Sequence, residues 1–307
     1  MIAVLFIVYG MPSSFDELES YYTKIYHGKP SPEAMEAAYE RFRNIAVCDP
    51  FYAVTVRQAR ALERRLQTKG NIRTYVGSLH TAPFIDEAVE TIVRDGAEKL
   101  IVLPMTLLYS KSGVGRYIKL ATDALKKHRS EIPVLGMTHW CHDPAIAALL
   151  ADRLRMAVHW LPEKMHLDTK VIFTTHSKPG IASAHTDYIE EFEALANQVS
   201  ARASVTDWTS AYRSAGPPPQ RWIGPDLLDV IAQAANQGKK AIVACDLLSA
   251  AENVEVLHDI GTEARTVARE HGLEFVRTEF LNDTDDFMQE LARIVWDELV
   301  QHKFVQT

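Results

Sequence analysis

Cysteine is scarce: Cys48, Cys141 and Cys245 are the only three in 307 residues, far apart and forming no CxxC or CxxH pair. That spacing excludes a disulfide scaffold and a zinc knuckle, and it fits buried thiols in a reducing compartment. Long apolar runs are missing too. The opening stretch 1–8 stops at Tyr9-Gly10, with no basic segment before it and no small-residue cleavage site after it, so the expectation is a cytoplasmic protein without an integral membrane segment. Nor is there an excess of positive charge. Lys and Arg number 33 against 40 Asp and Glu, a formal net charge of −7, and the cations are scattered, which leaves no electrostatic footprint for nucleic acid. A phosphate loop, a dinucleotide glycine fingerprint and a hydrolase Gly-x-Ser-x-Gly elbow are all absent; Gly113-Val114-Gly115-Arg116 is only a fragment of the first.

What the chain does have is an alternation. Short runs rich in Val and Ile (2–8, 73–76, 99–103, 134–138, 170–174, 204–206, 240–245 and 274–277) are separated by stretches of helical period at 53–67, 85–95, 114–127, 144–157, 188–200, 225–236, 254–271 and 285–301. Continuous apolar strands between amphipathic helices predict an α/β fold around parallel sheet buried on both faces. A weak internal repeat points to two similar halves. Residues 95–103 and 237–244 each read as helix end, glycine stop and strand, and 134–143 parallels 276–283, with Asp143 and Asp283 as candidate N-caps. We therefore expect an N-terminal half at 1–160 and a C-terminal half at 161–307. The segment 12–50 interrupts the rhythm with Tyr21, Tyr22, Tyr26, Tyr39 and Phe42. It reads either as a helical hairpin capping the core or as an aromatic lid over a flat apolar ligand, because open α/β sheets bind ligands at the carboxyl ends of their strands.

Three residues stand where chemistry is done. His176 directly follows the buried-strand pattern Val171-Ile172-Phe173-Thr174-Thr175, and a neutral imidazole there can accept a proton or bind a metal, or simply be a hydrogen-bonded loop histidine. Tyr9 ends the first strand in the equivalent place, next to Gly10. Glu255 lies among Glu252, His258 and Asp259 at three- and four-residue spacing, which puts Glu252, Glu255 and Asp259 on one helix face: one site, or one solvated stripe. His139-Trp140-Cys141-His142 crowds three possible ligands but lacks the distant partners that close a zinc tetrahedron.

Seven pieces in register carry a resemblance: Val8-Tyr9-Gly10-Met11-Pro12; Tyr21-Tyr22-Thr23-Lys24-Ile25 with Gly28; Asp49-Pro50 with Thr55 and Gln58; Gly77-Ser78-Leu79-His80 with Pro83-Phe84-Ile85; Thr175-His176-Ser177-Lys178-Pro179; Trp222-Ile223-Gly224-Pro225-Asp226; and Val254-Glu255-Val256-Leu257. In these the chain resembles the ferrochelatases, specifically the Gram-positive coproporphyrin III type. The resemblance implies two Rossmann-like, doubly wound parallel-sheet halves with a cleft between them, and an enzyme inserting Fe2+ into a porphyrin in haem biosynthesis. It implies His176 and Glu255 as metal-handling catalytic residues with Tyr9 approaching the ring, and Tyr9, His27, Arg41, Phe42, Asp49 and Tyr117 as porphyrin contacts. Iron is then a substrate, with no tightly bound cofactor. Some family members hold an iron–sulfur cluster on C-terminal cysteines; here none follows Cys245, so no cluster is expected. The implied partners are the porphyrin and divalent iron, and the lack of a hydrophobic extension favours a monomer.

Overall fold

A computed structural model of the chain describes residues 1–26, 28–45, 50–216 and 219–305; His27, Cys48 and Asp49, singled out above, lie outside them. In chain order the regular elements are β1 (Ile2–Val8), α1 (Leu18–Ile25), α2 (Pro32–Asn44), α3 (Phe51–Gln67), β2 (Ile72–Ser78), α4 (Ile85–Arg94), β3 (Lys99–Pro104), α5 (Arg116–Lys127), β4 (Val134–Gly136), α6 (Pro144–His159), β5 (Thr169–His176), α7 (Thr186–Ala203), β6 (Trp208–Arg213), α8 (Leu227–Asn236), β7 (Ala241–Asp246), α9 (Val254–His258), α10 (Arg265–Glu270), β8 (Glu274–Arg277) and α11 (Asp285–Gln301).

The strands form two four-stranded sheets, ordered β2-β1-β3-β4 and β6-β5-β7-β8, and every pairing within them is parallel. The α/β expectation and the two-fold repeat of the sheet are both met. β1 and β5 occupy equivalent places, each hydrogen-bonded on both edges, and this explains their composition. Ala3 to Ile7 are inaccessible to solvent, because a central parallel strand is covered by helices on both faces and cannot alternate apolar with polar. Around β1 the core gathers Leu5, Ile7, Val89, Ile92, Val102 and Tyr117; around β7 it gathers Ile172, Ile231, Ile242, Val256 and Ile260.

The units do not divide at residue 160. One comprises Met1–Asp143 with Asn282–Thr307, the other Pro144–Leu281. The helix following the fourth strand of each sheet leaves for the other unit: α6 packs on α7, and α11 packs on α3. Burial of an amphipathic face decides where a helix goes, and the order of the chain does not show which face it meets. The sixth strand is also displaced from its expected position at 204–206. Ser204 is in the left-handed conformation (φ 57°) that ends α7, so those residues form a helix stop, and the strand begins at Trp208. The expected helix 254–271 is present but contains a wide π turn at Asp259–Ala264. At the start of α11 the cap position belongs to Thr284, while Asp283 pairs instead with Arg57.

The interruption at 12–50 contains the helical pair α1 and α2. Ser31 caps α2, its hydroxyl accepting from Ala34 N at 3.2 Å with Pro32 in the first turn, where a missing N–H costs nothing. Phe15 stacks on Tyr39 (ring centres 6.2 Å apart) and lies over Phe42 (5.9 Å).

Candidate active site

β5 delivers His176 to its carboxyl end, as expected. The backbone there is pinned from beneath by Tyr188 of α7, whose buried hydroxyl donates to the His176 carbonyl at 3.0 Å and shares a hydrogen bond with Thr175. The His176 ring bonds through Nδ1 to the carbonyl of Ser177. A carbonyl only accepts, so Nδ1 carries the hydrogen, and the neutral ring keeps its lone pair on Nε2. That nitrogen lies 3.7 Å from Glu255 Oε2, and both side chains are part-exposed. Glu255 stands in the first turn of α9, which Asn253 caps by accepting from the amides of Glu255 (3.1 Å) and Val256 (3.2 Å). Two residues 79 positions apart are thus brought together by one strand end and one helix start.

Beneath this pair lies a buried ionic network that the sequence did not reveal. Arg213, the last residue of β6 and the register partner of His176, is 2% exposed along its side chain and donates from Nε to Asp246 Oδ2 at 2.9 Å. Its Nη1 lies 3.7 Å from Glu255 Oε2 and 3.8 Å from Asp259 Oδ2. Burial opposes the charge on this guanidinium, but Asp246, Asp259 and Glu255 outweigh it and hold the group protonated beyond its ordinary range. Ser214 has a left-handed backbone (φ 60°) while its hydroxyl bonds Asp259 and accepts from Arg213 Nη1 at 3.2 Å. A non-glycine residue tolerates that conformation only where its surroundings over-determine it.

The four-residue spacing of Glu255 and Asp259 thus serves one site rather than a solvated stripe. Glu252, expected on the same face, precedes α9 and pairs with Arg277 at 2.8 Å. His258 is buried beside Asp259 (3.3 Å) and Glu263 (3.5 Å). Burial works against its charge, but these two hydrogen-bonded carboxylates raise its pKa to about 9. One ring nitrogen of His258 and one oxygen from each acid lie within 4.8 Å of one another, close enough to share a cation. Lys178 sits with Nζ 4.0 Å from the centre of the Tyr188 ring, and burial lowers its pKa to about 8 against the pull of Asp187.

In the first unit, Tyr9 emerges from the end of β1 with 37% of its surface exposed. Its ring leans on His80 at 4.5 Å, and His80 in turn meets Tyr21 at 6.1 Å, so His80 is a packing bridge between strand and helix. Gly10 takes φ +82°, and a β-carbon there would fall 2.5 Å from Thr81 Oγ1; the close approach made by this glycine is to its own chain. Arg41 donates to the Tyr22 hydroxyl at 3.4 Å. The other two aromatic candidates are buried. Tyr117 belongs to the core around β1, where desolvation raises its hydroxyl pKa, and Phe42 is 3% exposed beneath Phe15. Of the three aromatic porphyrin candidates, Tyr9 is the most exposed.

The architecture defines a fold class first: two parallel four-stranded α/β units, as in solved chelatase structures. The chain superposes on SirB from Bacillus subtilis with Fe3+ at a TM-score of 0.60 and 14% identity, covering 98% of this chain and 97% of that one. On the sirohydrochlorin chelatase SirB from Bacillus subtilis subspecies spizizenii in complex with cobalt the score is 0.56 at 12% identity, covering 99% and 98%. Within that class, the family model Ferrochelatase matches residues 1–299, and the chain belongs to the ferrochelatase family, enzymes that insert iron into porphyrin. It is 30% identical over 297 residues to the ferrochelatase of Herpetosiphon aurantiacus, covering 95% of this chain and 97% of that protein. To coproporphyrin III ferrochelatase 2 of Bacillus anthracis it is 31% identical over 300 residues (96% and 93% covered), and to coproporphyrin III ferrochelatase of Listeria innocua 30% over 302 (96% and 97%). Among the described residues no helix is long and apolar enough to cross a membrane.

Proposed function

We propose that this enzyme inserts Fe2+ into coproporphyrin III, with His176 and Glu255 as the residues that handle metal and protons. The observation that carries the reading is the pairing of His176 Nε2 with Glu255 Oε2 at 3.7 Å, in a family whose similar members include coproporphyrin III ferrochelatases. Metallation requires two pyrrole N–H protons to leave as the ion enters, so a base must stand beside the ring centre. His176 presents Nε2 for that purpose, and Glu255 takes the proton onward or steadies the incoming cation. One imidazole and one carboxylate form an incomplete ligand set, suited to an ion that must be given up. Iron is accordingly a substrate, and the chain works as a monomer in the cytoplasm without an iron–sulfur cluster. Tyr9 and Arg41 are assigned to the porphyrin: the phenol ring to the macrocycle and the guanidinium to a propionate.

Anaerobic mixing of the protein with Fe2+ and, in turn, coproporphyrin III, protoporphyrin IX and sirohydrochlorin, followed by absorption spectra, tests this. Fastest metallation of coproporphyrin III is the expected result. Preference for another ring, or for Co2+ over Fe2+, would reassign the substrate. Tight pigment binding without any metallation would make the chain a tetrapyrrole-binding protein.

A further inference from the structure

Arg213 is left without a task by the reaction just described, although its placement is the most constrained in the site. Nε is bound to Asp246, and Nη1 faces Glu255 and Asp259 at 3.7 and 3.8 Å. The Glu255 oxygen it faces is the same Oε2 that faces His176. Glu255 therefore stands between an imidazole that can bind a metal and a guanidinium that cannot lose its proton. We propose that Arg213 is a positioning residue that prevents the metal-delivering pair from becoming a metal trap: it aligns Glu255 on His176 and cancels part of the negative charge that a divalent ion would meet there. This rests on the assignment of His176 and Glu255 as the metal-handling pair.

The charge balance supports the idea. Without Arg213, Glu255 and Asp259 would lose the positive charge that now lies 3.7 and 3.8 Å from them, and carboxylates beside an imidazole are donors that hold a divalent cation. Asp246 is already saturated: it accepts from Thr174 Oγ1 at 3.1 Å, from Arg213, and from the amides of Leu248 (3.1 Å) and Ser249 (2.9 Å). The rest of the guanidinium's charge is directed at Glu255 and Asp259. An insertion enzyme gains by this, because an ion held tightly in the resting state must be pulled free again at every turnover.

The test is made on the full chain. Arg213→Gln combined with Asp246→Asn removes one charge of each sign and keeps hydrogen-bonding groups in both places, while Arg213→Lys keeps the charge but cannot span Asp246 and Glu255 together. Co2+ is titrated calorimetrically without porphyrin, and kcat and the metal KM are measured separately, with thermal unfolding as the folding control. The double variant should bind Co2+ about threefold more tightly, because the positive charge it loses faces Glu255 at 3.7 Å, whereas the negative charge it loses is already satisfied by Thr174 and two backbone amides. Its metal KM should fall, kcat should fall with it, and the porphyrin KM should stay unchanged. The gain should vanish when His176→Ala is added. Arg213→Lys should keep the parental Co2+ affinity and lose kcat. A folded double variant with unchanged or weaker Co2+ binding overturns the proposal, as does Arg213→Lys with tightened Co2+ binding or with undiminished kcat. If the parent fails to metallate coproporphyrin III while the double variant still gains Co2+ affinity through His176, the substrate assignment falls and the role of Arg213 stands.

Discussion

Asp246→Ala is the substitution whose cost follows most directly from the structure. The carboxylate is wholly inaccessible and accepts four hydrogen bonds, from Arg213 Nε, Thr174 Oγ1 and the amides of Leu248 and Ser249. Removing it leaves the Arg213 guanidinium buried, with its remaining carboxylates no nearer than 3.7 Å, and leaves two backbone amides without their acceptor. Breaking a buried ion pair from one side costs about 3–5 kcal/mol, because the surviving charge stays desolvated. Asp246→Asn keeps an acceptor for the amides, so it should cost measurably less than Asp246→Ala although the guanidinium charge is left uncompensated. The double variant with Arg213→Gln should be less destabilised than Asp246→Ala alone, since no charge is left uncompensated. Because the chain folds as two units, one global unfolding curve would blend them. Native-state hydrogen exchange of amides in β5 and β7 measures the second sheet directly. A loss of protection below about 1 kcal/mol for Asp246→Ala, or equal losses for Ala and Asn, would refute the reasoning.

Three further outcomes concern the site. His176→Ala should lower turnover of coproporphyrin III by roughly 10²- to 10⁴-fold in an anaerobic metallation assay, the range of a lost general base; near-normal rates would remove the residue from the mechanism. Glu255→Gln should damage metal insertion far more than pigment binding, measured by porphyrin fluorescence quenching, and loss of binding alone would show the role to be misassigned. His258 gives a pH dependence. Its folded pKa of about 9 lies above the ordinary 6.5, so its contribution to stability is complete below about pH 6.5 and is lost as pH rises through about 9. Thermal unfolding should therefore move to lower temperature between those limits, and His258→Gln should flatten that slope.

Much of this was legible in the sequence, and the part that was not has a physical pattern. The central strands declared themselves because burial on both faces leaves only apolar residues, as in Val171-Ile172-Phe173, and the residue ending such a run, His176, was thereby placed at the carboxyl end of a sheet. The edge strand Trp208–Arg213 carries Thr and Ser among its aromatics, so the shorter run at 204–206 was mistaken for it. That slip hid Arg213, which occupies the position in β6 that the same reasoning had recognised for His176 in β5. Glu255 and Asp259 were seen as a pair because four-residue spacing survives the helix start, but a sequence cannot show that Glu252 turns away to Arg277. Tyr117 and Phe42 are expected against the porphyrin, yet the period of an amphipathic helix places an aromatic on the buried face just as readily.

The destination of α11 has a consequence for how the protein is made. Residues 282–305 complete the first unit, packing α11 against α3 and tying Asp283 and Asp285 to Arg57 and Arg65. On the ribosome, the first unit must wait for residues 282–305 before its covering helix arrives, whereas the second unit is contiguous and can close as it emerges. The second unit can therefore mature before the first, against the usual order in which the first-made domain is the first folded.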